Sequence, residues 1–147
     1  MTTEATTATT ERRVVVGVDG SACATRALEF AAKEAAHSGA LLHVVCVFHE
    51  LPVSGGVVLP MGISDESANA IVSIALRRAE ELEPSIVTKG EALLAGLGPG
   101  PGLVEVSEGA TALVVGSRGH NQVTGIFVGS VSEYVFHHAT CTTIVVR

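Results

Sequence analysis

Hydrophobic positions along this chain alternate between two rhythms. Val14-Val15-Val16-Gly17-Val18 is a continuous β-branched run, the pattern of a strand buried on both faces in a parallel sheet. It stops at the turn pair Asp19-Gly20, and Ser21 follows as an N-cap. From Ala22 to Ser38 the apolar positions recur at threes and fours (Ala24, Ala27, Leu28, Ala31, Ala35). Arg26, Glu29, Lys33 and Glu34 fall on the other side, and Gly39 is the expected stop. Leu41 to Phe48 is a second apolar strand. Strand, helix and strand with short connections make a βαβ unit, which implies a parallel sheet and a right-handed crossover.

The alternation continues to the end. His49 to Ser64 carries Pro52, Gly55, Gly56, Pro60 and Gly62 and reads as a long loop. A second helix is predicted from about Asp65 to Leu82, ended by Pro84. Ile86-Val87 starts a strand that Glu91 to Leu94 continues at a sheet edge. Gly96 to Gly102 reads as loop, Leu103 to Glu108 as helix capped by Gly109, and Ala112 to Gly116 as the fourth strand. After a long loop to Val128 come a helix over Ser130 to Ala139 and a last strand, Thr142 to Val146. The pattern predicts a single doubly wound α/β domain over residues 13–147, with a five-stranded parallel sheet and about four helices. Residues 1–12, rich in Thr, Ala and Glu, are expected to form a disordered tail.

Composition narrows the function classes. The 147 residues are 47% hydrophobic and 16% charged, which suits one packed core and excludes a disordered chain. A net charge of −6 disfavours non-specific nucleic-acid or anionic-membrane binding, because no basic stripe neutralises phosphates. A small anion held by local backbone dipoles is untouched by that argument. The longest apolar stretch, Ala40 to Phe48, is interrupted by His43 and is too short to span a bilayer. The opening residues lack the apolar core of a secretory signal. Cys23, Cys46 and Cys141 form no CxxC pair and sit among apolar residues, as reduced thiols do. The expectation is a cytoplasmic protein.

Open α/β sheets bind ligands outside the carboxyl ends of their strands, where strand order reverses. Two strand exits fit that place. One is Asp19-Gly20-Ser21. The other is Gly116-Ser117-Arg118-Gly119 after the fourth strand, with Gly129-Ser130-Val131 at the next helix start. Neighbouring first and fourth strands would merge the two into one crevice. Glycines at 116, 119 and 129 let backbone N–H groups approach an anion, and Ser130 is placed to cap a helix whose positive end faces the loop. That is a phosphate cradle; a glycine-rich connector with a capping serine is the competing account. Neither a Walker A loop nor a GxGxxG turn is present.

Other candidates are weaker. Asp19 is either a turn residue or a metal or ribose contact, and Arg118 either a phosphate clamp or a solvated loop cation. His137 and His138 point about 100° apart on a helix and do not converge on a metal. His43 and His49 read as structural or exposed. No GxSxG elbow occurs, and Asp19 is the only carboxylate at the crevice, so slow or absent turnover is expected. The final strand would expose an apolar edge unless it pairs with its twin or is shielded by the nearby helix.

The spacing G-x2-G-x9-G-[ST], met by Gly116, Gly119, Gly129 and Ser130, resembles the universal stress protein family, as do the opening VVVGVDGS and the ending CTTIVVR. The resemblance covers nearly the whole chain after Arg13. It implies a Rossmann-like sheet of order 3-2-1-4-5, a bound adenine nucleotide, and a homodimer paired through Thr142–Val146. In that reading Asp19 lies by the ribose and by phosphates carrying Mg²⁺, with Gly17 and Val18 before it in the nucleotide-binding set, and the Val47 backbone reads the adenine edge. Gly116, Gly119, Gly129, Ser130 and Val131 hold ribose and phosphates, and Ser117, Arg118 and Ser132 are counted with them as nucleotide-binding. The chain falls with the ATP-binding members, departing from them at His120-Asn121-Gln122. Three functions follow. The first is an ATP-binding homodimer whose occupancy is the signal to a protein partner. The second is a slow ATPase or self-phosphorylating enzyme using Ser117, Ser130 or Ser132. The third is a dimerising adaptor with an empty crevice.

Overall fold

The structure, a computed structural model, describes residues 11–49, 63–118 and 129–147. The predicted tail up to residue 10, loop residues 50–62 and loop residues 119–128 lie outside the described residues. Gly119 and the His120-Asn121-Gln122 departure lie outside them too.

Among the described residues nine elements alternate: β1 (Arg13–Gly17), α1 (Ala22–Ser38), β2 (Leu41–Phe48), α2 (Asp65–Leu82), β3 (Thr88–Leu94), α3 (Pro99–Val106), β4 (Ala112–Gly116), α4 (Ser130–His138) and β5 (Thr142–Val146). The five strands form one sheet, all pairs parallel, in the order β3-β2-β1-β4-β5. The order reverses between β1 and β4, joined in register from Val14↔Ala112 to Val16↔Val114. The predicted fold class and strand order are those observed.

Strand residues alternate between two apolar layers. Val14, Val16, Leu42, Val44 and Cys46 pack under α1 and α2 with Ala27, Leu28, Ala31, Val72 and Ala75. Val15, Val45, Val47, Leu113 and Val115 pack under α3 and α4 with Leu103 and Val135. Burial on both faces explains the continuous apolar runs of β1, β2 and β4. Ser21 caps α1, its hydroxyl accepting from the Ala24 amide at 3.2 Å, and Ser64 caps α2 likewise through Ser67.

Four boundaries differ from the sequence reading. β1 runs Arg13–Gly17 rather than Val14–Val18, although the Val18 amide still donates to the Val45 carbonyl at 2.9 Å. β3 is one strand over Thr88–Leu94, without Ile86 and Val87. α3 begins at Pro99, inside the expected loop, and ends at Val106, before Glu108. Pro99 suits the first helical position, and Gly98 enters it at φ 97°, where side chains are strained. Gly100 and Gly102 stay inside this helix because neighbours crowd them: a Cβ at Gly100 would meet Tyr134 at 2.9 Å. Lastly, α4 ends at His138, and its N-cap is Gly129, so Ser130 is its first residue and not its cap.

Candidate functional site

The β1 and β4 exits lie side by side because their strands are paired. At the first, Asp19 accepts the Ser21 amide at 2.9 Å, an Asx turn that delivers the chain from β1 into α1. Ser21 then caps the helix. Asp19 also lies close enough to β2 to act on Cys46, whose thiol is pushed up to about 11 by burial, with the Asp19 charge adding to the effect.

At the second exit, Ser117 is a junction. Its amide donates to the Val146 carbonyl at 2.7 Å, and its carbonyl accepts the Gly129 amide at 2.6 Å. The Ser132 hydroxyl donates to the Gly129 carbonyl at 2.9 Å and reaches the Ser117 carbonyl at 3.4 Å. The end of β4 is thereby fastened to the first turn of α4. Gly129 supplies no side-chain cap to that turn.

Two site glycines have distinct local reasons. A Cβ on Gly116 would stand 2.9 Å from the Cys23 carbonyl carbon, so β4 approaches the first turn of α1 within glycine distance. A Cβ on Gly129 would stand 3.2 Å from the Ser117 oxygen and 3.5 Å from the Arg118 Cα. The Gly129 amide, expected to face an anion, is instead committed to Ser117.

The structure brings Gly17, Val18, Asp19, Gly116, Ser117, Gly129, Ser130, Val131 and Ser132 around these two exits. Arg118 and Ser130 are exposed, Val131 is half-buried, and Val18, Ser117 and Ser132 are buried. Of the three serines weighed as phosphate acceptors, the Ser132 hydroxyl is engaged internally and Ser117 is 5% exposed, leaving Ser130 on the surface. Val47 sits past the last β1–β2 pair, Gly17↔Val45, so β2 outruns β1 there. A Cβ on Gly102 of α3 would approach Val47 at 3.2 Å, and Gly102 also lines a cavity of about 430 Å³ with Leu93, Ala95, Leu97 and Glu105. Gly119 lies outside the described residues.

Sequence reasoning missed two residues. Cys23 lies beneath Gly116, its Sγ 4.0 Å from the Ser117 Oγ, and Arg26 donates to that sulfur at 3.0 Å. The Arg26–Cys23 spacing of three is a helical neighbour pair, but nothing in sequence links either residue to β4. His43, read as structural or exposed, is buried at 3% exposure and paired with Glu91 at 2.8 Å, far from the crevice end of β2.

Fold and crevice together define a doubly wound α/β domain in which a Gly/Ser strand exit at the switch point is fastened to a helix N-terminus. The family model described as the universal stress protein family matches residues 11–147, and the chain belongs to that family. Universal stress protein Rv2005c of Mycobacterium tuberculosis is 34% identical over 137 residues, covering 91% of this chain and 45% of the relative. The chain thus spans about half the length of the mycobacterial relatives it matches. Among solved structures, a universal stress protein in complex with cAMP is 27% identical with a TM-score of 0.70, over 92% of this chain and 97% of that one. The Archaeoglobus fulgidus universal stress protein in complex with dAMP is 27% identical with a TM-score of 0.69, over 92% and 98%. Among the described residues no helix is long and apolar enough to cross a membrane.

Proposed function

We propose that this chain binds an adenine nucleotide, ATP with Mg²⁺, at the β1 and β4 exits, and acts as a homodimer whose nucleotide occupancy is read by a protein partner. The observation that carries the reading is the switch point itself, where the paired β1 and β4 exits bring the Asp19 turn and the first turn of α4 (Ser130–Ser132) to one end of the sheet. A helix N-terminus at such a switch point suits backbone approach to a phosphate. The cAMP and dAMP complexes of the two similar structures support an adenine nucleotide as the occupant.

In this reading Ser130, Val131, Arg118 and Gly119 hold phosphates, while Gly116, Ser117 and Ser132 shape the cradle. Gly17, Val18 and Asp19 meet the ribose, with Asp19 also the contact for Mg²⁺. The Val47 main chain, beyond the end of β1, reads the adenine edge. The magnesium ion would neutralise phosphate charge; positioning falls to the chain itself. With Asp19 given over to ribose and metal, no carboxylate is assigned to activate water, so turnover is slow or absent.

The homodimer forms along β5, an edge strand whose Val145 is 37% exposed. Strand pairing with a twin would cover that edge. The unpaired thiols of Cys23, Cys46 and Cys141 suit a reducing compartment, and we assign the protein to the cytoplasm. The test is the nucleotide content of purified protein, denatured and resolved by ion exchange. ATP near one per chain is expected. An empty extract, together with a melting temperature unmoved by added ATP, would replace this reading with that of an adaptor.

A further inference from the structure

Arg26 joins the crevice to the edge of the sheet. Its Nη2 donates to the Cys23 Sγ at 3.0 Å, and its Nε donates to the main-chain oxygen of Arg147, just past β5, at 3.0 Å. Cys23 is the residue against which Gly116 packs, and its sulfur faces the Ser117 hydroxyl. A second connection runs parallel to this one. The Ser117 main chain holds the Val146 carbonyl through its amide and the Gly129 amide through its carbonyl. Both connections start at the crevice and end on consecutive residues, Val146 and Arg147.

We propose that Arg26 is a positioning residue that couples nucleotide occupancy of the crevice to pairing of β5 with a second copy of the chain. The inference rests on the nucleotide and homodimer reading above. A nucleotide seated at Ser117 and Gly129 restrains the Ser117 peptide and the first turn of α1. Arg26 and the Ser117 amide pass that restraint to the end of β5. An edge strand already held at its end loses less conformational freedom when its twin arrives. By linkage, the dimer then binds nucleotide more tightly by the same factor. The guanidinium suits the task because its planar fork serves two acceptors at a fixed separation, whereas a lysine ammonium is a point charge on a flexible stem.

The experiment measures the dimer dissociation constant by sedimentation velocity, with and without saturating ATP, alongside ATP affinity by calorimetry. For the unaltered chain, ATP is expected to tighten the dimer by about fivefold or more, and in Arg26→Gln by no more than about twofold. Arg26 is exposed, so the variant should fold, and ATP binding by it is the control. Arg26→Lys keeps the charge without the fork and is expected to follow Arg26→Gln. ATP binding without tightening in the unaltered chain overturns the coupling and leaves the nucleotide reading standing. No ATP binding at all overturns the nucleotide reading and the coupling with it. Unchanged tightening in Arg26→Gln, or full tightening in Arg26→Lys, removes the role given to the Arg26 fork.

Discussion

The Gly129 amide donates to the Ser117 carbonyl at 2.6 Å, closing the β4 exit onto the start of α4. The Gly129 backbone, at φ −74° and ψ 163°, is open to any residue, so conformation alone does not demand glycine there. Clearance does. Gly129→Val places a branched side chain 3.2 Å from the Ser117 oxygen and pushes the two sides of the cradle apart. The expected outcome is a loss of about 1 kcal/mol of stability and at least about a tenfold loss of ATP affinity. Urea unfolding and calorimetry check the two. Undiminished ATP affinity would move the nucleotide site elsewhere.

Gly116 and Gly17 should differ in tolerance. A Cβ at Gly116 meets the Cys23 carbonyl carbon at 2.9 Å and its oxygen at 3.0 Å, backbone that belongs to a capped helix and cannot turn aside. A Cβ at Gly17 meets the Leu103 Cδ1 at 2.7 Å, the free end of a side chain that can rotate away. Gly116→Ala is expected to destabilise by about 1–3 kcal/mol, and Gly17→Ala by less. Urea midpoints at unchanged slope give the comparison; a larger loss in Gly17→Ala would contradict it.

His43 makes stability depend on pH. Burial holds its pKa below the ordinary 6.5, with Lys89 and Arg13 pushing the same way and the Glu91 carboxylate, hydrogen-bonded at 2.8 Å, pushing back. The folded chain therefore takes up a proton on this imidazole less readily than the unfolded chain. Its contribution is whole above 6.5 and is lost as pH falls from there towards the lowered folded value. Urea midpoints between about pH 7.5 and pH 5.5 should fall, and His43→Leu should flatten part of that slope. Equal slopes in the two proteins would refute the assignment.

The cysteines should label in sequence. Burial and the Asp19 charge push the Cys46 thiol up to about 11, leaving almost no thiolate near pH 8. Cys141 is only half-buried. Iodoacetamide treatment of the native protein, read by peptide mass spectrometry, should modify Cys141 well before Cys46. Cys46 should react only on unfolding, and early labelling there would mean that β2 opens readily.

The sheet was legible because its strands are buried on both faces. Val14–Val18 and Leu41–Phe48 need no alternation to be read as strands. Strand order came from resemblance, since nothing local tells β1 to sit between β2 and β4. Pro99-Gly100-Pro101-Gly102 read as loop because its residues have loop chemistry. Its helix exists through contacts with Tyr134, Ala95 and Val47 that lie far away in sequence. The two halves of the crevice were visible as Asp19-Gly20-Ser21 and the glycine spacing. Their joining bond was not, and neither was Arg26, whose acceptor lies 121 residues away. Ser130 was one position from the cap because a serine before a helix is the stronger local signal, whereas here the chain turns at Gly129.

The close approach of Gly116 to Cys23 bears on how such chains diverge. A descendant that abandoned its ligand would remain bound to glycine at 116, since an added methyl would still strike the helix backbone. Gly129 would stay held by its tight contact with the Ser117 oxygen, in which no ligand takes part, whereas Ser130 is exposed and would be freer to drift once nothing occupied the site. Loss of function in this lineage should therefore show first at Ser130.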